Sequence, residues 1–230
     1  KFLPAIWLAA GLLGLPAMEA RADECRSAPT AGIDWSRCDK KLLMLGGSDL
    51  AGARLVEADL TATDLMKTTL DGADFEKAKL LRASLAGASA KATRFARVEA
   101  YRTDFRNLRA AGSTFQGAEL QRSDFRGAEL TKADFTKAEL GRSQFDGADI
   151  GGVRFSLANL ARADLRGASL SAPLDFDRAF LFLTRLENLD LSTSTGLTQT
   201  QLDMACGNDQ TVLPAGLTRP KNWPCGFDQD

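Results

Sequence analysis

Residues 117–140 read GAELQRSDFRGAELTKADFTKAEL. A bulky apolar side chain falls on every fifth position: Leu120, Phe125, Leu130, Phe135 and Leu140. Two residues before each stands a small side chain, and the residue between is often acidic, so the unit is A-[D/E/N]-[L/F]-x-x. Self-similarity at a fixed period takes precedence over any local signal. Working outward, the period holds from Leu50 to Leu170. Of these 25 positions 13 are Leu, eight are Phe and one is Ile150; Ala90, Ala100 and Ala110 are the exceptions.

A five-residue step fits neither standard element. On an α-helix it turns about 500°, scattering the apolar residues around every side. On a flat strand an odd step alternates faces, so half of them would meet water. To bury them all, the chain must turn a corner about once per unit and stack its turns as parallel strands. A second period, of 20, sets the size of the coil. Phe75, Phe95, Phe115, Phe135 and Phe155 are 20 apart, as are Arg82, Arg102, Arg122, Arg142 and Arg162, and Glu99, Glu119 and Glu139. Four units per coil imply a square cross-section. Ala90, Phe95, Ala100, Phe105, Ala110 and Phe115 alternate small and large, the volume compensation that a packed interior demands. Leu108 beside Ala110 reads as a local exchange of large and small. The register breaks once, at Pro173, after which Phe176, Leu181, Leu186 and Leu191 resume it one residue late. The expectation is an all-β solenoid of about seven coils, roughly 35 Å long at strand spacing.

Segments such as 117–140 resemble the pentapeptide-repeat family, over about residues 48–191. The resemblance implies a right-handed quadrilateral parallel β-helix. It implies no activity, because the repeats describe the core. The tail at 196–225, GLTQTQLDMACGNDQTVLPAGLTRPKNWPC, is similar to a closing segment of exported bacterial members.

The flanks divide the chain. Residues 1–22 place Lys1 before an apolar run, Phe2–Leu15, and end in Ala20-Arg21-Ala22. This is the layout of a signal peptide cleaved after Ala22. Fourteen apolar residues span about 21 Å as a helix, short of a ~30 Å hydrocarbon core, so no stable membrane span is expected. Residues 23–47 read as an N-terminal cap, 48–191 as the β-helix and 192–230 as a C-terminal cap. In the last, Thr198 and Gln201 open a short helix with capping-box spacing and Gly207 closes it. Leu197, Leu202 and Ala205 would face the last coil, and Trp35 and Trp223 read as cap-packing aromatics. Cys25 and Cys38 precede the repeats; Cys206 and Cys225 follow them. A disulfide needs Cα atoms within about 7 Å. A rod of this length therefore predicts Cys25–Cys38 and Cys206–Cys225, which suits an exported protein. The expected location is periplasmic or secreted.

Composition narrows function. The chain has no histidine, which removes a histidine base, a Ser-His-Asp triad and histidine metal ligands. Regular ladders on a convex rod offer no concave pocket, so no enzyme, cofactor or metal is expected. Residues 48–191 hold 21 acidic and 21 basic groups, whereas nucleic-acid binders carry a basic excess. Some family members imitate DNA to inhibit or protect topoisomerase (gyrase). That alternative needs a dense negative surface, which this balanced rod lacks. Residues 77–109 hold nine basic and two acidic groups and the single tyrosine, Tyr101. Arg and Tyr are common interface anchors. The candidate interaction face is Arg82, Arg97, Tyr101, Arg102, Arg106, Arg122, Arg126 and Arg142. Its expected partner is another envelope protein or an anionic envelope polymer. The competing reading is a solvated salt-bridge lattice in which adjacent columns of opposite charge neutralise each other.

Overall fold

Each five-residue unit makes one side and one corner of a square coil. Around Leu50, the Leu50 amide donates to the Thr69 carbonyl (2.8 Å) and the Gly52 amide to Asp71 (2.9 Å) in the next coil. The Ala53 amide closes the corner on the Leu50 carbonyl (3.0 Å), and the Arg54 amide reaches back to Ile33 (2.8 Å). Parallel bridges then join residues 20 apart, from Asp34↔Arg54 to Asp149↔Ser169. The structure, a computed structural model, describes residues 25–226; the signal peptide expected at 1–22 lies outside the described residues. The fold is a right-handed quadrilateral β-helix.

The second corner residue is left-handed at every unit from Gly32 to Gly167. Glycine supplies it at Gly52 (φ 64°), but Arg82, Arg102, Arg122, Arg142 and Arg162 adopt it too, at φ 55–61°. For a residue with a Cβ this costs roughly 1–2 kcal/mol. The corner persists because its amide is tied to the next coil, as Arg122 is to the Gly141 carbonyl at 2.9 Å. The arginine ladder therefore stands at a corner, with Arg82, Arg102, Arg122 and Arg142 exposed to solvent and Arg162 half-buried.

Every inward position from Leu50 to Leu165 is buried. Two phenylalanine columns face each other across the core. Phe95, Phe115 and Phe135 stack at 4.7 and 4.6 Å between ring centroids, and Phe105 and Phe125 at 4.7 Å. The two columns meet edge-on, as Phe115 and Phe125 do at 5.9 Å. Leu108 and Ala110 are both fully buried, so the exchange of large and small holds. The small positions have a further role. Their hydroxyls donate to a carbonyl of the preceding coil: Thr103 to Leu80 (2.6 Å), Ser113 to Ala90 (2.6 Å) and Ser123 to Ala100 (2.7 Å). The acidic preference also has a local cause. Aspartates in the bridge positions accept the amide two residues on, as Asp124 does from Arg126 (3.0 Å). Such Asx contacts stabilise the turn that follows.

At Pro173 the bridges change from a step of 20 to one of 21, with Arg154↔Asp175. This is the one-residue corner insertion. Leu170, next to it, is only half-buried, unlike the other inward residues.

Both ends depart from the boundaries read in the sequence. The bridge pattern starts at Asp34, so Trp35, Lys40 and Leu45 are inward residues of a first coil. One column runs Asp34, Arg54, Asp74, Arg94, Thr114, Asp134, Arg154, Asp175, Thr195, one coil more than counted from the leucines. The lysine at an inward position concealed it. Lys40 lies over the Trp35 ring (3.5 Å to the centroid) and donates to the Cys25 carbonyl (2.6 Å); burial lowers its pKa. At the other end α1, Gln199–Met204, has the capping box formed by Thr198 and Gln201. Gly207 does not close it: Ala205 is the C-cap. Gly207 instead leaves room for Trp223, whose ring would lie 2.3 Å from a Cβ there. Trp223 donates to the Ala205 carbonyl (2.7 Å). Cys206 and Val212 still bridge to Arg185 and Asp190, so the ladder continues into this cap. Both expected disulfides are present, Cys25–Cys38 and Cys206–Cys225, each with Cα atoms 5.5 Å apart.

Candidate functional site

The four charged ladders lie in adjacent columns around two sides of the rod. Bridges place Glu99, Glu119 and Glu139 on one side, and Asp104 and Asp124 on the next. Tyr101 and the arginine column 82/102/122/142 occupy the corner between them, and Arg106 and Arg126 the corner beyond. The proposed face is thus a ridge with two flanks rather than a flat surface.

Pairing within it is uneven. Arg106 chelates Asp104 (2.9 and 2.8 Å), Arg126 chelates Asp124 (2.9 and 2.6 Å) and Arg166 chelates Asp164 (2.9 and 2.6 Å), each within one coil. Partial burial opposes ionisation of Asp104 and Asp164, yet hydrogen bonds from these arginines outweigh it and hold both pKa values below the ordinary range. Those columns behave as the neutralising lattice. The corner column does not. Arg82, Arg102, Arg122 and Arg142 are exposed and, among the described residues, form no ion pair. Arg102 lies 5.3 Å from the Tyr101 ring centroid, a cation–π distance. Glu99 and Glu119, across the corner, are likewise exposed. Arg97 does not join this ridge. It stands at the neighbouring corner, on the other edge of the Glu99 side, where it pairs with Glu76 (3.1 Å).

A fifth ladder went unread in the sequence. Asp34, Arg54, Asp74 and Arg94 alternate in sign along one side, with Arg54–Asp34 at 3.4 Å and Arg94–Asp74 at 3.6 Å; Arg154 pairs with Asp134 further on. The period of 20 carried that signal, but it alternates instead of repeating. This side is self-neutralised, unlike the Arg102 ridge.

Catalysis would need a pocket with a reactive pair. Among the described residues the concave places lie at the C-terminal cap and at the Pro173 insertion, and no cluster of metal-ligating side chains occurs there or elsewhere among them. Two disulfides fit an oxidising, non-cytoplasmic compartment, and no described helix is long and apolar enough to cross a membrane.

The model of the pentapeptide repeats matches in eight copies, over residues 45–80, 68–107, 111–145 and 138–172. No curated protein sequence matches. Among solved structures, the chain is similar to HetL, a pentapeptide repeat protein involved in heterocyst differentiation regulation from the cyanobacterium Nostoc sp. strain PCC 7120. Identity is 27%, over 79% of this chain and 86% of that one, with a TM-score of 0.35. QnrB1, a plasmid-mediated fluoroquinolone resistance protein, is 19% identical over 63% and 85%, with a TM-score of 0.36. A pentapeptide repeat protein of the Arabidopsis thaliana thylakoid lumen is 24% identical over 51% and 68%, with a TM-score of 0.25.

Proposed function

This chain belongs to the pentapeptide-repeat family, and from that premise we propose that it is a non-catalytic rod of the bacterial cell envelope. In this reading residues 1–22 export it, it works in the periplasm or outside the cell, and it binds an acidic surface of another envelope protein or polymer. The observation that carries the reading is the corner column. Arg82, Arg102, Arg122 and Arg142 stand one coil apart and form no ion pair among the described residues, while Arg106, Arg126 and Arg166 are chelated beside them. Stacked like charges repel at strand spacing. A column left without counter-charge loses stability unless something outside the rod supplies that charge. Rigidity adds to this: the corner backbone holds the arginines at fixed spacing, which lowers the entropy lost on binding. Tyr101 beside Arg102 supplies an aromatic anchor.

The test is affinity capture by residues 23–230 from periplasmic and cytoplasmic extracts, next to an Arg102→Glu, Arg122→Glu variant. The expected result is an envelope component recovered by the native protein and lost by the variant, with both melting alike. Equal recovery by both forms, or none by either, returns the ridge to a solvated lattice. Recovery of gyrase subunits would favour the topoisomerase reading instead.

A further inference from the structure

Between the last coils and the C-terminal cap, on the side that carries Asp164, the rod has a groove of about 280 Å³. The rod is concave here because the cap segment held by Cys206–Cys225 walls one end. Among the described residues, four arginines line it, Arg142, Arg162, Arg166 and Arg185, with one acidic residue, Asp164. The coil geometry brings them together: Arg142 and Arg162 are successive members of the corner column, and Asp164 and Arg185 are bridged across two coils.

Two of the arginines are held in place from behind. Arg166 is chelated by Asp164 through Nε (2.9 Å) and Nη2 (2.6 Å). Arg185 donates through Nε (2.7 Å) to Glu187, which is itself buried and lies outside the lining. Each guanidinium carries five N–H donors in a rigid fork, so both keep donors for a ligand while their positions are fixed. Arg142, exposed at the corner, adds positive charge, and half-buried Arg162 stands beside it one coil on. The disulfide and Leu183 form a less polar wall, which strengthens electrostatic attraction locally.

We infer that this groove is a binding site for a phosphate monoester. Planar arginine forks match the oxygens of a tetrahedral dianion bidentately, and a dianion suits the net positive lining. The volume admits the phosphate with a small body attached. The inference stands apart from the proposed ridge function, since only Arg142 is shared and the cap is required. The phosphate could belong to a soluble sugar phosphate or to a phosphatidic acid headgroup.

The test is titration of residues 23–230 with inorganic phosphate and with glucose 6-phosphate, followed by calorimetry. A parallel arm uses co-sedimentation with phosphatidylcholine vesicles containing phosphatidic acid. Saturable binding in the first arm identifies a soluble monoester; binding in the vesicle arm identifies a headgroup; either supports the site. Arg142→Gln with Arg162→Gln should weaken binding at least about tenfold, with partial recovery in the double Lys variant. Arg82→Gln with Arg102→Gln, on the same column but outside the groove, should leave it unchanged. No saturation in either arm, or equal loss in the two double variants, overturns the inference. Equal loss would show only diffuse attraction to the arginine column.

Discussion

Truncating Phe115 to alanine tests the core directly. The ring is fully buried. It stacks on Phe95 at 4.7 Å and Phe135 at 4.6 Å, and meets Phe105 and Phe125 edge-on at 6.0 and 5.9 Å. A buried Phe→Ala change costs about 3–5 kcal/mol, and each aromatic pair adds roughly 0.5–1.5 kcal/mol beyond its burial. Collapse around the cavity is restricted, because the Phe115 amide is pinned to Asp134 (2.7 Å) and neighbouring amides to the coils on both sides. The expected cost is therefore about 5 kcal/mol, at the upper end of the range. Phe176 is the internal control. It is equally buried but contacts one ring only, Phe155 at 5.6 Å. Phe176→Ala should cost about 3 kcal/mol, the lower end. Both are read from urea unfolding followed by circular dichroism. Phe115→Leu, at about 1–2 kcal/mol, keeps the comparison open if the alanine variant does not fold. If Phe115→Ala costs no more than Phe176→Ala, the stacked columns contribute nothing beyond burial and the reasoning fails.

Acid sensitivity has a defined sign. Asp104, Asp134 and Asp164 all have lowered pKa values, burial being outweighed by hydrogen bonds from Arg106, Thr136 and Arg166. A carboxylate with a lowered folded pKa stabilises the fold above its unfolded value and loses that stability as pH falls through the folded one. The melting midpoint should hold near neutrality and fall below about pH 4, less steeply in the triple Asn variant; equal slopes would count against these contacts. Thr103→Val, which deletes the hydroxyl given to Leu80 at 2.6 Å, should cost about 1 kcal/mol in the same urea assay. Reduction of the disulfides, which span 13 and 19 residues, should cost about 3 kcal/mol each while the far-ultraviolet β signal persists. A reduced protein that has lost that signal in buffer would give the caps a larger role than closure.

The period of five, read with the period of 20, determined the coil, its square section, the inward residues from Leu50 to Leu165 and the insertion at Pro173. The coil, its section and its inward residues follow from local repetition, since every unit must bury the same position and only a stacked coil allows it; the insertion shows as the one break in that repetition. The disulfide pairing was legible too, because rod length separates the cysteines into two ends. Where the repetition stops, tertiary structure decided. The first coil was hidden because Lys40 fills an inward position, where it is accommodated by the Trp35 ring and the Cys25 carbonyl. Gly207 has the residue type of a helix terminator, but its position is set by the Trp223 ring packed on it. The candidate site shows the same division. The sequence by itself put the charges in columns; which arginines are chelated depended on reach between corners. Arg106 meets Asp104 within its own coil, Arg97 turns to Glu76 on another side, and the column at Arg102 is left uncommitted. The groove beneath the C-terminal cap was not legible, since the period of 20 connects Arg142 with Arg162 and Gln144 with Asp164 but does not place Cys206, Cys225 and Gly226 of the cap against them.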